Sequence, residues 1–225
     1  MSGRRLEGKV VIITGGASGI GAEAARLFVE NGARVVIVDV QDEMGKNVAV
    51  SIGEEQATYH RCDVTDVSQV EDTVKFTVQK HGRLDVLFSN AGVMEPFKSF
   101  LDLDLDRLDR TMAVNLRGSA AFIKHAARAM VDHGTRGSII CTTSVLAEIA
   151  GSGPHAYTAS KHGLVGLVMS ACGELGKYGI RVNGIAPFAV VTGMSTGGDP
   201  AAGKYVEEYC AAAGNLKGLV LKVII

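Results

Sequence analysis

The chain has no excess of charge of either sign. Its 23 Lys and Arg against 24 Asp and Glu leave a net −1 at pH 7 over 225 residues. Nucleic acid and anionic membrane surfaces attract a basic excess, so neither is expected as a partner. Long apolar runs are missing too. Val10-Val-Ile-Ile13 is typical, whereas a membrane-spanning helix needs about 20 apolar residues. Residues 1–8 lack the apolar stretch of a secretory signal. Cys62, Cys141, Cys172 and Cys210 are dispersed, with no C-x-x-C pair, and read as reduced, mostly buried thiols of a cytoplasmic protein. The six histidines form no H-x-x-x-H or Cys/His cluster, so no metal site is expected. Repeats, low-complexity tracts and linkers are also lacking.

What is present is an apolar chain, 47% hydrophobic, long enough for one large domain over residues 1–225. Short β-branched runs alternate with longer helical patterns. Lys9–Thr14, Arg34–Asp39, Ala57–Cys62, Leu84–Asn90, Gly137–Ser144 and Ile180–Ala186 read as strands, and stretches near 19–31, 42–52, 66–81, 104–132 and 155–178 as helices. Asp66 or Ser68 opens one helix; Gly32, Gly53, Gly82, Gly134 and Gly179 close others. The run Asp102-x-Asp104-x-Asp106 suits a helix N-terminus. Alternation of this kind predicts an α/β fold, a doubly wound parallel sheet covered by helices on both faces. Ligands of such sheets bind beyond the carboxyl ends of the strands.

The first strand runs into Thr14-Gly15-Gly16-Ala17-Ser18-Gly19-Ile20-Gly21, which opens a helix. Glycines permit a tight turn and close backbone approach, and the helix N-terminus offers free N–H groups to a pyrophosphate. The loop therefore predicts dinucleotide binding by Gly15, Ser18, Gly19, Ile20 and Gly21. Asp39 ends the second strand, where a carboxylate accepts from both adenosine ribose hydroxyls and repels a 2′-phosphate. With no Arg or Lys at 17, 18 or 40, NAD is expected over NADP. A plain strand-end Asp capping the next turn is the alternative. Asp63 suits the adenine amino group, with Val64 against the ring, and equally suits a cap for the helix near 66.

Tyr157 and Lys161 stand four apart, on one face of a helix, with Ser144 thirteen residues before the tyrosine. A fixed positive charge beside a phenol favours the phenolate and lowers its pKa from about 10. Such a pair is a candidate general acid/base near neutral pH.

Thr14–Gly21, Asp63-Val64, Asn90-Ala91-Gly92, Asn115, Ser144, Tyr157-x-x-x-Lys161 and Asn183…Pro187 together resemble the short-chain dehydrogenase/reductase family, in its order and spacing, over about residues 6–195. Residues 124–130, 174–183 and 213–218 look like the plant secoisolariciresinol dehydrogenase group, which includes enzymes similar to xanthoxin dehydrogenase and momilactone A synthase. The resemblance implies a Rossmann-type sheet and an NAD-dependent dehydrogenase of a hydrophobic secondary alcohol or ketone (terpenoid, lignan or steroid-like). Tyr157 would exchange the proton, and Lys161 would lower its pKa and bond the nicotinamide ribose. Ser144 would hold the substrate oxygen. Asn115, inside the long fourth helix, would anchor a water leading from Lys161. Asn90, Ala91, Gly92, Pro187, Val190 and Thr192 would line the cofactor cleft. Met94, Val145, Leu146, Ile149, Phe188 and Met194 would line an apolar substrate pocket under a lid at about 188–216. Glu95 and His155 are expected to be surface or structural. Phe188 replaces the family's usual glycine, which implies a reshaped wall.

Family members also continue into another helix and a seventh strand. This chain ends Gly218-Leu-Val-Leu-Lys-Val-Ile-Ile225, without a counterpart. Six strands with an uncovered edge are expected. That weakens the homo-oligomer (dimer or tetramer) that the resemblance implies. It also leaves open a non-catalytic dinucleotide-binding isoform, beside the second alternative of an NADP-dependent ketone reductase.

Overall fold

A computed structural model describes residues 4–149 and 153–213. Its sheet has six parallel strands in the order β3-β2-β1-β4-β5-β6. These are β1 (Val10–Thr14), β2 (Arg34–Asp39), β3 (Ala57–Arg61), β4 (Val86–Ser89), β5 (Ser138–Thr142) and β6 (Arg181–Ile185). All five residues of β1 and all four of β4 are buried, as expected for parallel strands covered on both faces. Alternate side chains feed two cores. Ile12, Leu87, Phe122 and Ile139 pack on one face, and Val11, Ile13, Ile37 and Phe88 on the other.

The helices are α1 (Gly19–Glu30), α2 (Asp42–Ile52), α3 (Val67–His81), α4 (Leu105–Met112), α5 (Ser119–Asp132), α6 (His155–Leu175), α7 (Gly193–Thr196) and α8 (Gly203–Ala213). Asp66, not Ser68, caps α3, accepting from the N–H groups of Ser68 and Gln69. Asp104 caps α4 through the Arg107 N–H. Gly82 and Gly179 end their helices in the left-handed region, at φ 76° and 73°.

Two expected helices differ. The helix predicted over 104–132 is two α-helices joined by a π-helical turn, Ala113–Gly118. The helix predicted to reach 178 stops at Leu175, and Gly176–Tyr178 is a tighter 3-10 turn. Among the described residues the sheet has six strands, with β3 and β6 at its edges. The apolar end, residues 218–225, and the last part of the expected lid lie outside the described residues.

The chain leaves β1 for β2 and β3, then returns to lay β4 against the other side of β1. This reversal opens a crevice above the carboxyl ends of β1 and β4. At the opposite end of the sheet Asp85 fastens the same two strands. It accepts from Arg83 twice (2.6 and 2.8 Å), from Lys9 Nζ (3.2 Å) and from the Val10 N–H (3.0 Å). Burial alone would push its carboxyl up; Arg83, the Val10 N–H and Lys9 outweigh that and hold it below the usual range. A depressed folded pKa contributes stability above the unfolded value, and that contribution is lost as pH falls through the folded one. Asp85→Ala is expected to cost about 1–3 kcal/mol at neutral pH. The gap to wild type should close in acid, as read from denaturant midpoints.

Candidate active site

A cavity of about 800 Å³ lies over the carboxyl ends of the strands. Its walls follow the order of the sheet. Asp63 and Val64 come after β3, Asp39 from β2, and Gly15 and Ser18 to Ile20 after β1. Asn90 to Met94 come after β4, Thr142 to Leu146 from the end of β5 and the loop beyond it, and Pro187 to Val190 and Thr192 to Ser195 after β6.

The loop after β1 needs its glycines. Gly15 has φ +64°, and a Cβ there would lie 2.8 Å from Ala91 Cα. Gly19 has φ +52°, and its Cβ would press on Thr192 at 3.3 Å. Ser18, at the N-cap of α1, makes no side-chain cap, so the first-turn N–H groups lack both intrahelical and capping partners. These donors at a helix N-terminus fit a pyrophosphate. Gly21 is corrected: it does not line the cavity. A Cβ there would collide with the Gly15 carbonyl and lie 2.8 Å from Asn90 Nδ2, so Gly21 lets α1 close on the loop.

Asn90 joins three strand ends. Its side chain donates to the carbonyls of Thr14 (3.2 Å) and Gly15 (3.3 Å) and accepts from Thr142 Oγ1 (3.0 Å). Thr14 Oγ1 accepts from the N–H groups of Asn90 (2.9 Å) and Ala91 (3.0 Å). Asp39 does cap the next turn, accepting from Val40 and Gln41 as well as from Ala17 N–H. It also stands on the cavity wall. Asp63 is on the wall too and accepts from Thr65 N–H and Oγ1, while Asp66 takes the helix cap. Val190 and Thr192 line the same wall, and Thr192 caps α7.

Helix α6 brings Tyr157 and Lys161 to the cavity opposite Ser144. Lys161 is 3% exposed. Its Nζ donates to the Thr142 carbonyl (2.6 Å) and lies 5.4 Å from the Tyr157 ring centroid. The expectation that Lys161 lowers the phenol pKa is corrected here. Burial pushes Tyr157 above its ordinary value, and hydrogen bonding with Ser144 opposes that shift. The ammonium is itself held down to about 8 by burial, against a weaker pull from Cys141. Desolvation outweighs the charge of a neighbour that is turned toward a backbone carbonyl.

This has a consequence for stability. Between pH 8 and the ordinary lysine value of 10.5, the unfolded chain holds a proton that folded Lys161 has released. Stability from this group therefore rises with pH across that window. Lys161→Met is expected to flatten the rise, measured by denaturation midpoints from about pH 8 to pH 9, below the range where Cys141 and Tyr157 oppose it.

Asn115 is fully buried in the π-turn and is not on the cavity wall. Its Oδ1 accepts from Val93 N–H (2.8 Å), and its Nδ2 donates to the Val93 carbonyl (2.9 Å) and Ser160 Oγ (3.0 Å). Gly92 lies between: a Cβ there would be in ordinary contact, 3.4 Å from Asn115 Oδ1 and 3.8 Å from Lys161 Nζ. Met94, Val145, Leu146, Ile149, Phe188 and Met194 all line the cavity. Glu95 and His155 do not; His155 packs against Phe97 and Phe100, with Nε2 3.1 Å from the Lys98 carbonyl.

Sequence reasoning missed Arg110, a cation on the wall one turn before Val114. It also missed Arg61, paired in register with Asp39 and bonded to the Val40 carbonyl (2.7 Å) and Asp42 (3.1 Å). The i, i+4 spacing of Arg110 and Val114 was the available signal for the first. No three or more His, Cys, Asp or Glu are grouped to hold a metal among the described residues, and no described helix is long and apolar enough to cross a membrane.

Comparison with known proteins agrees with this geometry. The short chain dehydrogenase family profile matches residues 9–201. Short-chain dehydrogenase reductase 3c of Arabidopsis thaliana is 72% identical, over 99% of this chain and 85% of its own length. (+)-Borneol dehydrogenase 1 of Salvia officinalis is 47% identical, over 97% of this chain and 83% of its own. The crystal structure of levodione reductase superposes with a TM-score of 0.85 at 29% identity, covering 97% of each chain. With this match and a Tyr-Lys helix facing a glycine-loop crevice, the chain belongs to the short-chain dehydrogenase/reductase family, oxidoreductases that use a nicotinamide cofactor.

Proposed function

We propose that this chain is an NAD-dependent alcohol dehydrogenase acting on a hydrophobic secondary alcohol or its ketone. The observation that carries the reading is the meeting of Ser144, Tyr157 and Lys161 at one stretch of the cavity, beside apolar walls from Met94, Val145, Leu146, Phe188 and Met194. The nicotinamide supplies hydride chemistry when bound. Tyr157 gives or takes the proton at the substrate oxygen, and Ser144 holds that oxygen while charge develops on it. Lys161 and Asn115 complete the set, Lys161 as the buried cation behind the phenol and Asn115 as the brace of the loop facing it. Asp39 on the adenosine side favours NAD, since a carboxylate repels a 2′-phosphate. The apolar walls suit a terpenoid, lignan or steroid-like substrate. A relative named as a borneol dehydrogenase supports an alcohol of that class. A homo-oligomer belongs to the same reading; Phe97, Phe100, Leu101 and Leu105 offer exposed apolar surface.

The test is dinucleotide reduction over a panel of apolar secondary alcohols, with sedimentation on the same sample. NAD is expected to exceed NADP by roughly tenfold or more in kcat/KM, the difference one well-placed charge makes. Preference for NADP would overturn the cofactor assignment. Dinucleotide binding with no hydride transfer to any substrate would point to a non-catalytic binding protein.

A further inference from the structure

We propose that Glu95 is a positioning residue for the general acid/base: its carboxylate, reaching from the loop after β4, is the N-terminal cap of the helix that carries Tyr157. The proposal rests on Tyr157 being the proton-transfer group.

Helix α6 starts immediately after Pro154, which makes no side-chain cap. The second and third residues of a helix have N–H groups that a Ser, Thr, Asp or Asn at the N-cap would satisfy. Here those residues are Ala156 and Tyr157. Glu95 Oε1 accepts from both, at 2.8 and 3.1 Å. A carboxylate at this end of a helix is also favoured by the helix dipole, and a charged acceptor makes a stronger bond. Glu95 Oε2 accepts from Thr111 Oγ1 of α4 (3.4 Å), and Thr111 is buried. One carboxylate thus connects the β4 loop, α4 and α6.

The same turn of α6 is gripped a second time. Ser160 Oγ donates to the Tyr157 carbonyl (2.7 Å), and Asn115 donates to Ser160 Oγ while holding Val93 by both N–H and carbonyl. Both backbone polar groups of Tyr157 are therefore held. Glu95 takes the N–H, and the Asn115–Ser160 pair takes the carbonyl. The two clamps start two residues apart, at Val93 and Glu95, and Met94 between them lines the cavity. Glu95 itself is off the cavity wall, so it acts through Tyr157 and touches neither cofactor nor substrate.

The experiment compares Glu95→Ala, Glu95→Gln and wild type in the full chain. Amide exchange at Ala156 and Tyr157 should quicken by about tenfold or more in Glu95→Ala, with protection on β1 and β4 unchanged. The chain has five tyrosines. In 3-fluorotyrosine-labelled protein, the resonance that vanishes in Tyr157→Phe should shift in Glu95→Ala and return in Glu95→Gln, which keeps the accepting oxygen. Where an active substrate is in hand, kcat should fall about 10–100-fold in Glu95→Ala, the effect of misplacing a reacting group by an ångström or less. NADH affinity should hold within about twofold, and Glu95→Gln should recover most of the loss.

Unchanged exchange and an unmoved Tyr157 resonance would overturn the proposal. So would a Glu95→Gln as impaired as Glu95→Ala, or a loss of NADH affinity in step with kcat. Exchange and resonance need no turnover, so a chain that fails as a dehydrogenase still answers the positioning question. If Glu95→Ala does not fold, Glu95→Asp carries the same expectations, because it keeps the charge and is one methylene too short to reach.

Discussion

Tyr157→Phe is expected to lower turnover by roughly 10²–10⁴-fold, the range for removing a general acid/base. Dinucleotide affinity should stay within about twofold, because the ring remains and only the phenolic oxygen is lost. Both backbone groups of Tyr157 are bonded independently of that oxygen, so the ring should keep its place. Folding stability should fall by only about 0.5–1.5 kcal/mol, since the phenol is neutral and the change removes one hydrogen bond with Ser144. Kinetics, a fluorescence titration with NADH and a thermal melt on one preparation check all three. Undiminished turnover would remove Tyr157 from the chemistry. Lost affinity together with lost turnover would mean that the phenol binds rather than reacts.

Asn115→Ala is expected to damage fold and activity together. It strips half-buried Val93 of the partners of both its N–H and its carbonyl and removes a donor from fully buried Ser160 Oγ. A buried polar group left unpaired costs about 1–3 kcal/mol, so a total of about 2–4 kcal/mol is expected. The control is Asn115→Asp, nearly the same size. Its carboxylate still accepts from Val93 N–H but faces the Val93 carbonyl with a second acceptor, so it should be at least as harmful as alanine. Urea unfolding midpoints measure the cost. A loss under about 0.5 kcal/mol, the level of an ordinary surface change, would show that the loop is held by something else.

The strands and most helices were legible because period and punctuation agree. Arg34–Asp39 and Asp42–Ile52 stand where β-branched runs and glycine stops put them. The site was legible as a set of types at fixed spacings on strand ends, which is why the residues expected on the cleft from Gly15 to Thr192 line one cavity, apart from Gly21 and Asn115. Those two serve packing and bracing, and a motif does not distinguish a residue that touches a ligand from one that holds the wall. The phenol's pKa was misjudged because spacing gives the neighbouring charge but neither its burial nor the direction in which it points. Helices α7 and α8 fell in a segment rich in glycine and alanine, where periodicity is weak. Glu95 was expected to be surface or structural, but its role as the cap of α6 was not legible because its partners are 61 and 62 residues away. The trace it left in the sequence was negative: a long helix whose N-cap position, Pro154, has no side-chain oxygen to offer.

The π-turn fixes a length. Between α4 and α5 one additional residue is accommodated without breaking the rod, and successive residues of an α-helix differ by about 100° around its axis. Deleting one residue from Ala113–Gly118 would restore regular winding, yet turn α4 by about that angle against α5. Arg110 and Val114 would leave the cavity wall, or Phe122 and Ala126 would leave the core. Insertions and deletions, which loops absorb readily, should therefore be excluded from this stretch of helix as strictly as from the glycine loop itself.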